Sequence, residues 1–423
     1  MVKICDARCG SGKTEATIQY INSHPKKKFL YVTPYLPEAQ RICKGCPNAN
    51  FVEPKNDLYW CEFKKSFHLM KLVEQGVNIA STHQGMLYYT PETVKLLRDK
   101  GYTLIIDESI NVMQELSTNN KISVTDEDIK MLIGQGYIRT IDTGEYEATN
   151  KEYPGGAFDR LIKMLRTKRI VQLENHKKTK KNEFSYYLLF SSEIFKEVKE
   201  VIVLTYLFKK SEMDLFLQMS GVKYEMIGVE RTKDGFQYTK CEQRPTLFDK
   251  SLKDLIHIET DKKLNAIGDD RGSLSINWYK KHKEDVQGIK LKKNIYNYFC
   301  NRMRNHPSAE RLCGTFKNYW GMLRQKGYYN SDLVFNQKSS NEYRHKRVLV
   351  YPVNIFPNVS IINYYRSKGL EFNSDHYALS IMIQWIWRSA IRDGKEIWVY
   401  IPSKRMRNLL QDWLKSFDME YKL

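Results

Sequence analysis

The feature that most constrains the fold of this chain is a glycine-rich segment at residues 7–14, which reads ARCGSGKT. It follows a short apolar run at 2–6 that predicts a buried strand, and it leads into a helical pattern at 13–22. A strand, a glycine-rich turn and a helix in this order can bind phosphate, because the turn and the helix N-terminus direct backbone N–H groups towards an anion. We therefore expect a nucleotide site within a parallel α/β sheet.

Each residue of the turn has an expected role in holding ATP and Mg²⁺. Gly10, Ser11 and Gly12 would bring backbone N–H groups close to phosphate oxygens. Lys13 would reach the β- and γ-phosphates, and the Thr14 hydroxyl would bind Mg²⁺. A glycine-rich turn without a ligand is the alternative, which the Gly-Lys-Thr ending disfavours.

An acidic pair follows a second apolar run. The run at 104–107 predicts a buried strand that ends in Asp107 and Glu108. Asp107 would hold the metal ion through water, and Glu108 would orient or deprotonate the attacking water. By itself such a pair is more often a solvated strand end, but the phosphate-binding turn in the same sheet favours the catalytic interpretation.

Strand-like and helical patterns alternate along most of the chain. Strands are expected at 2–6, 29–33, 77–81, 104–107, 200–205, 255–259, 332–335, 347–353 and 397–401. Helices are expected at 13–22, 36–43, 63–75, 91–99, 377–392 and 404–417. This alternation predicts parallel sheets covered by helices, whereas the charged stretch at about 115–198 predicts an insertion of helix and hairpin. We expect two α/β domains, at 1–210 and 211–423.

The charge balance indicates an anionic partner. Lys and Arg number 68 against 49 Asp and Glu, a net charge of +19, which attracts phosphate backbones and membrane surfaces. No apolar run approaches the roughly 20 residues that a bilayer span needs, and no strongly amphipathic basic helix stands out. Nucleic acid is therefore favoured over membrane. The eight cysteines are irregularly spaced and no signal-peptide pattern is seen, so we expect reduced thiols and a cytoplasmic protein, in the host cytoplasm if the source is viral.

An arginine-containing block lies near the end of the chain, at residues 384–392 (QWIWRSAIR). In one continuous helix Gln384, Arg388 and Arg392 would share a face, at positions i, i+4 and i+8. A guanidinium is always charged and can stabilise the charge on a transferring phosphoryl group. The alternative is a solvated arginine face on a packed helix.

Together these segments resemble the motifs of superfamily 2 helicases. Residues 7–14 match the first motif, Ala-x-x-Gly-x-Gly-Lys-Thr, and the acidic pair matches the start of the second, although Ser109 and Ile110 replace its usual last residues. Residues 384–392 are similar to the sixth motif, Gln-x-x-Gly-Arg-x-x-Arg, with Trp387 in place of glycine and the last arginine one residue late. The resemblance implies two RecA-like lobes with parallel sheets and an insertion between the second and third motifs of the first lobe. It also implies that Gln384, Arg388 and Arg392 serve ATP that the first lobe binds.

The same resemblance implies contacts with nucleic acid at the ends of three predicted strands. These residues are Thr33, Pro34 and Tyr35, then Ser81, Thr82 and His83, and finally Thr205 at the coupling motif. Singly, each is only a polar strand end, but they occur in the order that the family shows.

The resemblance is nearest to bacteriophage-type replication helicases of superfamily 2. It implies an ATP-dependent DNA helicase acting in phage replication, recombination or repair, with single-stranded or forked DNA favoured over RNA and with partner proteins from those processes. A translocase or remodeller on duplex DNA, a P-loop phosphotransferase acting on a small molecule, and a nucleic-acid binder with a decayed ATPase site remain open. A zinc site formed by Cys43, Cys46, Cys61 and His68 is a further alternative to core packing.

Overall fold

The computed structural model describes residues 1–55, 64–86, 89–116, 123–142, 144–174, 184–240, 242, 244–336 and 342–419. The chain divides into two compact units, Met1–Gln243 with Asn358–Phe372 and Arg244–Pro357 with Asn373–Leu423. The α/β class with parallel sheets is confirmed. The division falls later than the expected boundary at 210/211, because a hairpin at 224–239 joins the first sheet.

Strands and helices alternate along both units. The strands are β1 (Val2–Asp6), β2 (Lys28–Thr33), β3 (Ile79–Thr82), β4 (Tyr102–Asp107), β5 (Met113–Glu115), β6 (Ile138–Asp142), β7 (Glu145–Ala148), β8 (Arg169–Glu174), β9 (Phe184–Leu189), β10 (Glu200–Thr205), β11 (Tyr224–Thr232), β12 (Gly235–Thr239), β13 (Ile256–Ile258), β14 (Arg311–Thr315), β15 (Asp332–Val334), β16 (Val348–Val350) and β17 (Ile397–Tyr400). The α-helices are α1 (Lys13–Asn22), α2 (Leu36–Gly45), α3 (Lys64–Gln75), α4 (His83–Met86), α5 (Pro91–Asp99), α6 (Asp126–Gly134), α7 (Asp159–Leu165), α8 (Glu193–Glu197), α9 (Glu212–Met219), α10 (Leu247–Leu255), α11 (Lys262–Asn265), α12 (Ile276–Lys281), α13 (Val286–Tyr296), α14 (Trp320–Leu323), α15 (Val359–Ser367), α16 (Ser374–Ile386) and α17 (Lys404–Met419). Short 3₁₀ segments lie at Pro47–Ala49, Ala266–Gly268, Ser308–Glu310, Lys317–Tyr319 and Ala390–Asp393, and a π-helical turn at Asn297–Arg302.

The main sheet of the first unit carries the glycine-rich turn. Its seven strands, counted over the described residues, run in the order β12-β11-β1-β10-β4-β2-β3, and all neighbours are parallel except β11 and β12. The central strands are apolar and buried along almost their whole length, as expected for a parallel sheet covered on both faces. In register, Asp6 pairs with Thr205, and Leu204 pairs with Asp107. The carboxyl ends of β1, β10 and β4 therefore meet at one edge.

The expected insertion forms an antiparallel sheet in the order β5-β9-β8-β7-β6, with its own apolar core. Helix α15, which comes from much later in the chain, packs against it. Ser360 Oγ donates to the Glu174 carbonyl at 2.8 Å, and Asn358 Nδ2 donates to the Tyr187 hydroxyl at 2.6 Å. These contacts place 358–372 in the first unit.

The second unit contains a parallel sheet in the order β13-β17-β16-β14-β15. Its helices and strands enclose a core rich in tyrosine and leucine. The strand β14 in this sheet was not expected from the sequence. No helix in the described ranges combines the length and the apolar character needed to span a bilayer.

The helix expected at 377–392 is shorter than predicted and corrects the arrangement of the arginine block. Helix α16 ends at Ile386, the chain is extended at Ser389, and a separate 3₁₀ turn follows at Ala390–Asp393. The Ala390 N–H donates to the Lys346 carbonyl at 2.9 Å, and this long-range bond takes the backbone out of the helical path. Gln384, Arg388 and Arg392 therefore do not share one helix face.

Candidate nucleotide site

The turn between β1 and α1 has the geometry that a phosphate-binding loop requires. Gly10 (φ 78°) and Gly12 (φ 94°) adopt the left-handed region, where a side chain would be strained. The Ser11 N–H donates to the Arg8 carbonyl at 3.2 Å, which closes the turn. Gly12 caps α1 without a side chain, so the first N–H groups of the helix stay directed at the space in front of the loop. The predicted strand, loop and helix are confirmed.

Lys13 and Thr14 begin α1 beside this loop. Lys13 Nζ donates to the carbonyl oxygens of Ala7 and, at 3.0 Å, Arg8, so that the amino group lies along the loop backbone. The Thr14 side chain is partly exposed. Ser11 Oγ is a buried polar atom without a hydrogen-bond partner in the part of the chain that the structure describes. A phosphate oxygen would satisfy such an atom, so the loop fits a phosphate group.

The acidic pair lies at the carboxyl end of β4. The Glu108 backbone has a φ of 63°, and its N–H donates to the Leu204 carbonyl at 2.8 Å, which ties the turn after β4 to β10. Asp107 Oδ2 accepts a hydrogen bond from the Tyr31 hydroxyl at 2.9 Å, and the Asp107 carbonyl lies 2.8 Å from His83 Nε2. These contacts hold Asp107 from β2 and from the start of α4, which directly follows β3.

Burial raises the pKa of Asp107 to about 7, and the negative charge of Glu108 adds to the effect, while the Tyr31 hydroxyl and Lys13 oppose it. A divalent cation would favour the ionised form, because it supplies the positive charge that this environment lacks. Carboxylate and hydroxyl oxygens are the ligands that Mg²⁺ prefers. Asp107 and Thr14 therefore provide a chemically suitable pair for this ion.

Asp6, at the end of β1, is a further acidic residue at this edge, and it was not expected from the sequence to belong to the site. Its Oδ2 accepts a hydrogen bond from the Phe208 N–H at 2.9 Å. Burial raises its pKa, although that bond and the charge of Lys13 oppose the shift. Its position directly before the loop, as a carboxylate ending a buried strand, was the available sequence signal.

A second residue that sequence reasoning missed is Phe236 on β12. Strand β12 lies against α1, where the Tyr238 hydroxyl is 2.6 Å from Thr17 Oγ1. A Cβ atom at Gly12 would lie only 2.3–2.7 Å from ring atoms of Phe236. Gly12 is therefore required both for its backbone conformation and because the ring occupies the space of a side chain.

We expect Gly12→Ala to lower the free energy of unfolding by about 2–4 kcal/mol, because backbone strain and overpacking against Phe236 add. The Phe236→Ala change should recover the overpacking part in the double variant, which chemical denaturation of all four proteins would measure. Gly221→Ala is the matched control, since Gly221 also has a positive φ of 65° but has no atom within 4 Å of the place that a Cβ would take. Equal losses for Gly12→Ala and Gly221→Ala would contradict the role of Phe236.

The residues expected to contact nucleic acid lie along the same carboxyl edge but differ in exposure. The side chains of Thr33, Ser81 and Thr205 are buried. Thr205 Oγ1 lies 2.8 Å from Ser109 Oγ, which links the residue after the acidic pair to the end of β10. Of the other four, Tyr35 is exposed, and Pro34, Thr82 and His83 are partly exposed. In this conformation, only the side chains of the exposed and partly exposed residues would be accessible to a nucleic-acid strand.

The arginine block lies in the second unit. Arg388 is buried and Arg392 is partly exposed, while Gln384 lies on α16 and is partly buried. Trp387 packs edge-on against Trp413 of α17, with ring centroids 5.7 Å apart. This packing fixes the segment that carries both arginines after the end of α16.

The cysteine and histidine residues weighed as a zinc site do not form one in the described residues. Cys46 is buried, with Sγ 3.8 Å from the Ile18 carbonyl, and His68 Nδ1 accepts a hydrogen bond from the Lys55 N–H at 3.0 Å. No group of three or more potential ligand side chains occurs in the described ranges. Cys61 lies outside those ranges, as does the lysine run at 177–181.

Fold and site together define an α/β protein with a phosphate-binding loop and an acidic pair at one edge of a parallel sheet. The chain belongs to the YonV family. It is 37% identical over 431 residues to the SPbeta prophage-derived uncharacterized protein YonV of Bacillus subtilis (strain 168), covering 98% of this chain and 99% of that protein. Residues 250–414 match the family described as the YonV C-terminal Rossmann-like domain.

Three solved structures are also similar to this chain at low sequence identity. One is S. tokodaii Xpd4, with a TM-score of 0.44, 14% identity, and coverage of 97% of this chain and 93% of that one. A structure titled XPD helicase has a TM-score of 0.45, 13% identity, and coverage of 97% and 94%. The DUF1998 helicase MrfA bound to DNA and AMPPNP has a TM-score of 0.32, 10% identity, and coverage of 99% and 48%.

Proposed function

We propose that this chain is a nucleic-acid-dependent ATPase of the superfamily 2 helicase type, which moves along DNA and separates its strands. The observation that carries the proposal is the placement of the loop and the acidic pair at one sheet edge. Strands β1 and β4 both pair with β10, so the end of β1, from which the loop starts, and the end of β4, which carries Asp107, are about 10 Å apart across the sheet. ATP bound to the loop would have its metal ion and attacking water beside the two carboxylates.

Each residue of the site would act on the bound nucleotide in a defined way. Lys13 would bind the β- and γ-phosphates, and Thr14 and Asp107 would hold Mg²⁺, which neutralises charge on the phosphate oxygens. Glu108 would orient the attacking water and accept its proton. Gln384, Arg388 and Arg392 are proposed to serve the γ-phosphate, where a permanently charged guanidinium stabilises the transferring group.

The choice of nucleic acid as the partner rests on charge and on the family. A net charge of +19 favours a polyanion, and the relative in Bacillus subtilis is prophage-derived. These two observations support phage DNA as the substrate. The role in replication, recombination or repair and the preference for single-stranded or forked DNA are proposed from the resemblance of the motifs to those of phage helicases. Pro34, Tyr35, Thr82 and His83 are the proposed side-chain contacts with the strand.

The decisive experiment measures ATP turnover in parallel with no nucleic acid, single-stranded DNA, duplex DNA and RNA. We expect single-stranded DNA to stimulate turnover at least tenfold and RNA to stimulate it less. A rate of ATP turnover that no polynucleotide changes would instead indicate a phosphotransferase acting on a small molecule. Strand displacement measured beside triplex displacement separates a helicase from a translocase on duplex DNA.

The same assay tests the arginine residues through Arg392→Ala. Removing one guanidinium that stabilises the transferring phosphoryl group is expected to lower kcat by about 10²-fold or more, with ATP binding retained. Lys395→Ala removes a neighbouring exposed cation and serves as the control. Equal activity of the two variants would exclude Arg392 from catalysis.

A further inference from the structure

The amino edge of the main sheet, opposite the nucleotide loop, contains a basic cleft of about 510 Å³. Its charged lining side chains are six lysines and one carboxylate, that of Glu200; the lysines are Lys3, Lys26, Lys27, Lys28, Lys100 and Lys199. We call this site the lysine cleft. Such an accumulation of one charge creates a positive potential that attracts anions.

The lysine cleft is separate from the nucleotide site. Lys3, Lys28 and Glu200 lie at the amino ends of β1, β2 and β10, whereas the phosphate-binding loop follows the carboxyl end of β1. Five residues of extended strand at about 3.3 Å each put roughly 16 Å between the two ends. Substitutions in the cleft should therefore have no direct effect on ATP hydrolysis at the loop.

Glu200 fixes two of the lysines in place. Its carboxylate accepts hydrogen bonds from Lys3 and Lys27, both at 2.9 Å, and from the hydroxyls of Tyr20 and Thr103, both at 3.1 Å. Burial acts to raise the pKa of Glu200, but the hydrogen bonds and charges of Lys3 and Lys27 outweigh it and lower the pKa to about 2. The carboxylate thus stays ionised and holds Lys3 and Lys27 in the lining of the cleft.

The other four lysines leave the cleft with excess positive charge. Lys28 Nζ donates to the carbonyl of Lys100 at 3.3 Å, so these two residues are neighbours in the cleft. The nearby carboxylates Asp99 and Glu197 instead bond Arg98, at 3.0 and 2.6 Å. Repulsion among the lysines is therefore not relieved by these two acids, and a bound polyanion would relieve it.

We propose that the lysine cleft binds the phosphodiester backbone of a nucleic-acid strand, at a second site remote from the nucleotide loop. The proposal rests on the proposed function, because it takes its ligand from the nucleic acid on which the motor would act. A concave site admits a strand, whereas a charged bilayer presents its headgroups on a plane. Lysines supply point charges and no base-specific contacts, so binding should not depend on sequence.

The test substitutes glutamine for Lys26, Lys28, Lys100 and Lys199 together, leaving the two lysines that bond Glu200. Fluorescence anisotropy with a labelled oligothymidine would give the dissociation constant at several salt concentrations. We expect at least tenfold weaker binding and a salt slope smaller by about 3, because each lysine that no longer neutralises a phosphate of a single strand lowers the slope by roughly 0.7. ATP turnover without nucleic acid should be unchanged.

The control variant removes the same charge elsewhere, through glutamine at the exposed residues Lys130, Lys233, Lys283 and Lys290. Equal loss of affinity in both variants would show only the effect of net charge and would overturn the proposal that the lysine cleft binds the strand. A cleft variant that binds the oligonucleotide normally but no longer binds anionic vesicles would assign the cleft to a membrane surface instead. The proposed function fails separately, when no polynucleotide stimulates the wild-type ATPase.

Discussion

Lys13→Ala is expected to abolish ATP hydrolysis, with turnover at least 10²-fold lower than in the wild-type protein. Its amino group is the charged group at the start of α1 that is held on the carbonyls of the loop, where the β- and γ-phosphates would bind. Alanine removes this positive charge from the place where the negatively charged γ-phosphoryl group would be transferred. Electrostatic stabilisation of this kind accounts for much of phosphoryl-transfer catalysis. Phosphate release under saturating ATP measures the effect.

Nucleic-acid binding at low salt should largely survive in the Lys13→Ala variant, since only one of 68 basic residues is removed. Lys44→Ala, at an exposed lysine near the end of α2, controls for the loss of a cation. Turnover retained in Lys13→Ala would refute the assignment of the nucleotide site.

Asp107→Asn is expected to abolish hydrolysis and, at the same time, to stabilise the metal-free protein at pH 8. The folded-state pKa of Asp107 is about 7, mainly because of burial, against an ordinary value of 3.8. A carboxyl with a raised pKa in the folded state lowers stability as the pH rises from about 4 to 7, and the full cost remains above pH 7. Asparagine has the same shape without the charge, and its side-chain oxygen can still accept a hydrogen bond from the Tyr31 hydroxyl.

The gain in unfolding free energy should be on the order of 2 kcal/mol at pH 8 and should vanish near pH 4. Urea denaturation at several pH values, without divalent metal, measures it. Asp99→Asn is the control, because Asp99 is exposed and lies outside the site. A difference between Asp107→Asn and wild type that does not depend on pH would contradict the role of burial.

The first sheet could be predicted well because its central strands are continuous apolar runs. The bounds of β1, α1 and β10 agree with the expected ranges, since a strand buried on both faces needs no partner to be recognised. The hairpin of β11 and β12 was missed, because its strands are mixed in polarity and only partly buried. Its place in the sheet depends on pairing with β1, which lies more than 200 residues earlier.

The site shows the same division between local and distant information. Gly10, Gly12 and Lys13 lie within four consecutive positions of the chain, so the loop could be recognised by its spacing. The roles of Tyr31 and Phe236 depend on contacts with residues far away in sequence. The end of the arginine block's helix likewise follows from the hydrogen bond between residues 390 and 346, which no periodicity encodes.

Helix α15 has a consequence for the order in which the protein is made. It covers the inserted sheet, and Lys368 at its end places Nζ 2.7 Å from the Glu145 carboxylate. Yet it is synthesised after the whole first segment of the second unit, Arg244–Pro357. During translation, the inserted sheet is therefore complete about 170 residues before α15, its last layer, is synthesised. Maturation of the amino-terminal unit is thereby tied to synthesis of the carboxyl-terminal one.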